Sequence, residues 1–554
     1  MGGLFVKKDL ARLIADANDP NAGEGGHGGG QLKRTLGAFN LTTLGIGAII
    51  GAGIFSLTGL AAAFYAGPGI IYSFMIGGVL CALAGLCYAE MAAMVPVAGS
   101  AYAYSYATMG EFIAWIIGWD LILEYAFGAV TVSVSWSGYF VSLIEKTLHI
   151  HLSDTLLRFT QGPWGGLVTL SNGSQVHGLW NLPATLVALL VSAILYRGMR
   201  ESAFVNNLIV VVKVIIVLAF IALGWSVASH ANWIANPDAH GIARMVPPVG
   251  LSAKGGGFIS YGWPGVLTGA GVVFFAYIGF DAVSTTAQEC KNPGRDLPIG
   301  ILTSLVICTI LYILMSLVLT GVVPYRLLGV SDPVAVGVDR IVALRHWSPV
   351  AQEALSFMVK LGALAGLTSV ILVMIMGQTR IFYAMSKDGL LPWFGGTHRT
   401  HGTPHIATVV TGIFVAVCGG LIPLSVVGEL VSIGTLLAFV LVCLGVPILR
   451  FTNADTHRPF RVPGGLPGAL IVGGLGALAC LWVMSGLPKD TWLRLIIWLE
   501  VGLMIYSGYG WRKSRLAAAD PTGSRLGPHR ILLGASIIAF IPTMVFAVKV
   551  FGRS

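Results

Sequence analysis

The sequence predicts an all-α, polytopic membrane protein, and three observations predict it. Hydrophobic residues make up 55% of the 554 and charged residues only 10%, whereas soluble proteins draw about a quarter of theirs from Asp, Glu, Lys and Arg. Apolar runs recur from about residue 40 to the C-terminus, so lipid is the solvent for most of the chain. The runs are about 20 residues long, and a transmembrane strand needs only about ten alternating residues. Helices rather than strands therefore span the bilayer. A cytosolic enzyme, a disordered protein and a secreted disulfide scaffold are excluded.

In chain order, the predicted spans are 40–63, 69–94, 111–143, 179–196, 203–228, 264–287, 298–322, 350–380, 406–424, 428–449, 466–486, 492–510 and 531–550. That gives twelve helices, or thirteen if 531–550 crosses. With the N-terminus in the cytoplasm, the inner segments carry 20 Lys and Arg and the outer ones 11, and two more, Lys213 and Lys360, fall within helices. The excess of basic residues in short inner connectors favours that orientation. The net charge of +9 is spread through those connectors rather than gathered on one face, so it marks topology and not nucleic-acid binding. The seven cysteines lie singly in apolar segments, which fits packing rather than metal or disulfide chemistry. Residues 1–39 lack the apolar core of a secretory signal, and Gly23 to Gly30 make a flexible stretch with a lone His27. Asn172-Gly173-Ser174 matches a glycosylation sequon in an outer loop, a pattern that also arises by chance.

Two predicted helices should not be straight. Glycine stands at four positions of Gly45–Phe55, and each costs about 1 kcal/mol relative to alanine in a helix interior. Close helix packing through small residues is one reason for such a cluster. A broken helix is the other, its freed N–H groups and positive half-helix N-terminus facing a substrate carboxylate. Five helices later, Phe275-Ala276-Tyr277-Ile278-Gly279-Phe280-Asp281-Ala282 sets a glycine and a carboxylate within the sixth apolar run. Freed carbonyls along Phe275, Ala276, Tyr277 and Ile278 can accept hydrogen bonds from an ammonium group, while Asp281 can equally cap a helix end. Five is an odd number, so two such halves would be inverted in the membrane.

These stretches resemble the cationic amino acid transporter family of the amino acid, polyamine and organocation superfamily. The resemblance rests on Gly47–Phe55, Val95–Tyr102, Gly118–Tyr125, Phe274–Ala282, Asn292–Gly300 and Gln378–Pro392, which in order span most of residues 35–510. It implies a LeuT-type bundle of five plus five inverted helices with broken first and sixth helices. It divides the chain into a cytoplasmic tail (1–39), a first repeat (40–228), an extracellular loop (229–263), a second repeat (264–449) and C-terminal helices (450–554). It also implies that Ile49, Ile50, Gly51, Ala52 and Gly53 receive a substrate carboxylate, and that the carbonyls of Phe275, Ala276 and Ile278 receive its amino group. Related sequences often carry Ser or Thr where this chain has Ala52, so backbone N–H groups must serve alone here. No cofactor and no metal are implied, and an accessory membrane subunit stays open.

Ionisable groups within the membrane are functional candidates by default. Lys213 sits among Val211, Val212, Val214 and Ile215, with no partner on its own helix. It either binds a carbonyl of the first-helix break or, as the resemblance implies, stands where sodium-coupled relatives bind sodium and there loads and releases a proton. Asp120 and Glu124 share a helix face. Glu124 is a cavity acid or proton relay, or a protonated carboxyl bonded to a neighbouring helix. Glu90 belongs to an inner vestibule or gate ion pair, and Lys360 is expected to snorkel outward. Met374 lies in a helix that the resemblance places beside the substrate, where it would favour small or apolar side chains; plain packing is the alternative.

An intramembrane protease would need two aspartates sharing a proton, and the context of Asp120 does not match that of Asp281. A channel would need a continuous polar lining. The expected function is therefore secondary active transport, not catalysis. The expectation is proton-coupled import of small neutral amino acids by alternating access in the inner or plasma membrane. The alternatives are a cationic amino acid transporter or exchanger and a non-transporting amino acid sensor.

Overall fold

The computed structural model describes residues 6–8, 36–95, 100–164, 167–197, 203–250, 261–285, 290–396, 398 and 403–515. The predicted span 531–550 and most of the N-terminal tail lie outside them. Eight helices among the described residues are long and apolar enough to cross a membrane. Two apolar helices of 15 and 17 residues, Leu182–Tyr196 and His405–Leu421, are shorter.

The first helix begins as α1 (Ala38–Ile49), breaks, and resumes through Gly53–Leu57, Thr58–Ala61 and Ala62–Ala66. Gly67, in a positive-φ conformation (+60°), and Pro68 turn the chain directly into α2 (Ile70–Met94). There follow α3 (Ser100–Thr108), α4 (Glu111–Ser142), a hairpin of β1 (Leu167–Thr169) and β2 (Gln175–His177), α5 (Leu182–Tyr196) and α6 (Ala203–Trp225). The second half holds α7 (Gly262–Val273), α8 (Ala282–Thr285), α9 (Pro293–Val322), α10 (Pro333–Arg345), α11 (Pro349–Lys387), α12 (His405–Leu421) and α13 (Leu424–Thr452). The chain closes with α14 (Gly465–Ser485) and α15 (Lys489–Ile505). α2 packs along α9, α4 along α11 and α13, and α1 against α9 and α6.

Sequence boundaries move where capping decides them. α9 starts at Pro293 rather than near Pro298: the Asn292 carbonyl accepts the first helical bonds, from the Arg295 and Asp296 amides, and a proline suits the first helical position. Pro298 is accommodated one turn later, where its missing N–H removes a single bond. Two further elements lie between expected spans. α3 fills part of the gap after α2. α10 forms on the face opposite the N-terminus and buries Val334, Val338, Ile341 and Val342 in one stripe.

Ionic contacts tie the bundle at both faces. On the N-terminal face, Glu90 at the end of α2 accepts two bonds from Arg450 on α13, at 3.0 and 2.5 Å, and one from the Val462 amide at 2.7 Å. Arg458 stands 3.5 Å away, so Glu90 belongs to a buried ion cluster. Nearby, Lys8 contacts both oxygens of Asp388 at 2.7 Å, and Tyr102 donates to the same carboxylate at 2.6 Å. On the opposite face Lys360 does not snorkel outward. Its side chain is fully buried and donates to Thr147 at 3.0 Å, with Asp339 of α10 at 3.4 Å. The α10 helix, folding over that end, supplies Asp339, and the turn that follows α4 supplies Thr147, so outward extension is unnecessary.

Candidate functional site

Two helix interruptions meet at the centre of the bundle. α1 stops at Ile49, where Ile50 turns extended with ψ 96°, and a π turn at Gly53–Leu57 restarts the helix. Gly51 and Gly53, at the interruption, lower the cost of leaving helical geometry there, whereas Gly45 lies inside α1, where a Cβ would stand 2.6 Å from Ser304 Oγ, so close packing accounts for it. α7 ends at Val273, continues as one 3₁₀ turn over Phe274–Tyr277, and breaks at Ile278 with ψ 137°. Gly279 follows at φ +117°, a conformation open to glycine. A Cβ on Gly53 would stand 2.2 Å from the Ala276 Cα, and one on Gly279 would stand 2.8 Å from the Ala48 carbonyl carbon. Glycine at both positions therefore lets the two breaks press backbone against backbone.

Side chains, most of them from other helices, bind carbonyls at and beside the breaks. The Tyr312 hydroxyl, on α9, lies 2.7 Å from the Ile49 carbonyl and 2.8 Å from that of Ala276. With one proton to donate, it bridges the two breaks. Lys213, on α6, donates to Gly47 at 2.7 Å and Ile50 at 3.1 Å. Thr58 and Tyr139 donate to the carbonyls of Gly53 and Phe55, at 3.0 and 2.7 Å. The Phe275 carbonyl accepts the Ile278 N–H at 3.1 Å. Each carbonyl keeps a second lone pair. The N–H groups that open the second arm of the first helix have no acceptor within that helix and lie at its positive end. One side of the junction thus offers donors and the other acceptors.

Asp281 anchors the second break. Its carboxylate accepts the Tyr125 hydroxyl from α4 and, at 3.2 Å, the Gly279 N–H. Ser284 donates to its carbonyl at 2.6 Å. The Glu124 carboxyl faces that of Asp281. Asp120, one turn nearer the N-terminal face, has neither oxygen hydrogen-bonded among the described residues.

Of the expected residues, Ile49, Ile50, Gly51, Ala52 and Gly53 on one side and Phe275, Ala276 and Ile278 on the other are buried and adjoining. Tyr277 shares the backbone turn, but its hydroxyl donates away from the junction, to Phe74 on α2 at 2.7 Å. Met374, on α11, is buried beside Phe275, and both face Gly128 on α4. Just toward the N-terminal face lies a cavity of about 30 Å³, lined by Leu44, Ala48, Tyr125, Ala282, Val373 and Arg380 among others, room for a water or two. The sequence reading missed Tyr312, Tyr125 and Gly128. A tyrosine in an apolar run needs a partner for its hydroxyl, and that requirement was a legible signal for the first two.

Comparison with known proteins identifies the class. Residues 36–506 match the amino acid permease family. The chain is 42% identical over 517 residues to the branched-chain amino acid permease BcaP of Bacillus subtilis (strain 168), covering 93% of this chain and 99% of that one. It is 40% identical over 517 residues to the methylthioribose transporter of the same organism, covering 93% and 100%. Vacuolar cationic amino acid transporter 2 of Arabidopsis thaliana is 34% identical over 448 residues, 80% of this chain and 64% of that one. This chain belongs to the amino acid permease family, within the amino acid, polyamine and organocation superfamily. It is a multi-pass membrane transporter and not an enzyme.

Proposed function

We propose that this permease imports neutral amino acids with small or apolar side chains across the cell membrane by proton symport, its N-terminus in the cytoplasm. The observation that carries the substrate reading is the junction of the two breaks, with helix-start N–H groups opposite Phe275–Ile278 carbonyls and the apolar side chains of Met374 and Phe275 alongside. The carboxylate of the amino acid sits on Gly51, Ala52 and Gly53, and its ammonium sits on carbonyls of the second break. The LeuT-type inverted repeat, with the two broken helices rocking around the substrate, supplies alternating access.

Proton coupling is supported by the contacts of Lys213. Its ammonium holds the carbonyls of Gly47, in the last turn of α1, and Ile50, in the break. Loss of its proton weakens both bonds and frees α1 to move, which links protonation to the shape of the substrate site. Glu124 and Asp281 form the second titratable group, where one proton shared between the carboxyls replaces repulsion with a hydrogen bond.

The test is uptake of radiolabelled alanine into proteoliposomes, with and without an inward proton gradient, competed by the other amino acids and by methylthioribose. Gradient-stimulated uptake, blocked by small neutral and branched-chain amino acids, is expected. Competition by arginine and lysine alone reverses the substrate class, and competition by methylthioribose alone removes amino acids from it. Absence of flux for every compound makes the protein a sensor. A Lys213→Met variant is expected to keep exchange of substrate but lose stimulation by the gradient; full stimulation in that variant refutes the role of Lys213.

A further inference from the structure

We infer that Gly128 sets the size of substrate side chain that this permease accepts, an inference that rests on the neutral amino acid reading above. α4 carries three glycines, Gly118, Gly128 and Gly138. At Gly118 and Gly138 a Cβ would crowd a neighbouring side chain. A Cβ on Gly118 would meet Met385 Cε at 2.8 Å, and one on Gly138 would meet Ser331 Oγ at 2.2 Å. At Gly128 the same atom would stand 3.4 Å from Met374 Sδ and 4.0 Å from both Met374 Cγ and Phe275 Cε2, ordinary contact distances.

Alanine therefore fits at 128 in this conformation and would be the better helix former. Close packing does not explain the glycine, and its location supplies another reason. The space in front of it is bounded by the Phe275 ring, on the break itself, and by Met374, an unbranched side chain with three rotatable bonds that yields to an incoming group. An amino acid held by its backbone groups at the junction directs its side chain at the wall beside Phe275. The missing methyl group at 128, together with the displaced methionine, makes room for a branched or extended apolar chain. The compartment wall is Gly, Met and Phe. Glu124 lies one helical turn from Gly128 on the same face of α4, so a charged substrate side chain is the outcome that the experiment must be able to detect.

The experiment measures kcat/KM for alanine, valine, leucine and arginine in proteoliposomes containing the wild type, Gly128→Ala, Met374→Ala and the double variant, with the Tm of each purified protein recorded. One added methyl group in an apolar pocket changes discrimination about 10- to 200-fold. Gly128→Ala is expected to lower the leucine-to-alanine ratio of kcat/KM by at least about tenfold, at an unchanged or higher Tm. Met374→Ala in that background is expected to restore much of the ratio. An equal fall for all substrates, or an unaltered ratio in a variant that folds, overturns the role of Gly128 while leaving the neutral reading standing. Wild-type transport of arginine with none of the neutral amino acids overturns the neutral reading itself, and the inference with it.

Discussion

Single atoms decide the central junction. A methyl group at Gly53 has no place to go, since its nearest neighbour would be a backbone Cα at 2.2 Å. Gly53→Ala is accordingly expected to abolish transport and to lower the Tm, because the two breaks must separate to admit it. Tyr312→Phe tests the bridge from the other direction. It leaves the shape of the ring unchanged and withdraws the hydroxyl from two buried carbonyls, those of Ile49 and Ala276. A buried acceptor left unmatched costs about 1–3 kcal/mol, so thermal unfolding of the purified variant should show a loss within that range, and an unchanged Tm would show that the hydroxyl is dispensable. Residues at this scale were partly legible. Glycine clustering pointed to Gly51 and Gly53, but the partner that makes Gly53 obligatory, Ala276, lies more than 200 positions away.

At the scale of elements, α10 carries its own pH dependence. Asp332 immediately precedes it, is nearly buried, and has Oδ2 without a hydrogen bond among the described residues. Burial pushes its carboxyl above the ordinary carboxylate range, against the opposing pull of Lys146, the Ser142 hydroxyl and Lys360, while Asp339 adds to the rise. A carboxyl raised on folding binds its proton more tightly in the folded state, so stability falls as pH rises from the ordinary carboxylate range through the raised value. Asp332→Asn should flatten that part of a Tm-against-pH curve, and an unchanged slope would contradict it. The stripe of Val334, Val338, Ile341 and Val342 made this helix readable in principle. Its mixed polar face hid it from a search for apolar runs, because it packs over the bundle rather than through lipid.

For the whole molecule, the contacts at the N-terminal face differ in weight. Glu90 is 2% exposed and paired with Arg450 and Arg458, which are 8% and 4% exposed. Removing one partner of a buried pair costs about 3–5 kcal/mol, since the remaining charge stays desolvated. Glu90→Gln should therefore lower Tm markedly. Lys8 and Asp388 are 27% and 15% exposed, and a partly solvated pair contributes about 1 kcal/mol or less. Lys8→Ala should shift Tm little. Similar losses in the two variants would mean that the N-terminal segment is bound far more tightly than its exposure indicates.

The amino-acid sequence by itself determined the membrane, the helical class, most spans and the presence of two weak points in the first and sixth runs. All of these depend on composition and local periodicity, which a linear chain displays directly. It also carried the family, through motifs that follow one another in order from Gly47 to Pro392. Only the tertiary structure decided which atoms meet. Tyr312 between the breaks, Tyr125 on Asp281, the burial of Lys360 beneath α10 and the unneeded glycine at 128 all depend on distances between helices far apart in sequence. Helix periodicity gives the face on which a side chain lies. The neighbour across that face is set by how the helices pack, and it is there that the polar groups of this bundle find their partners.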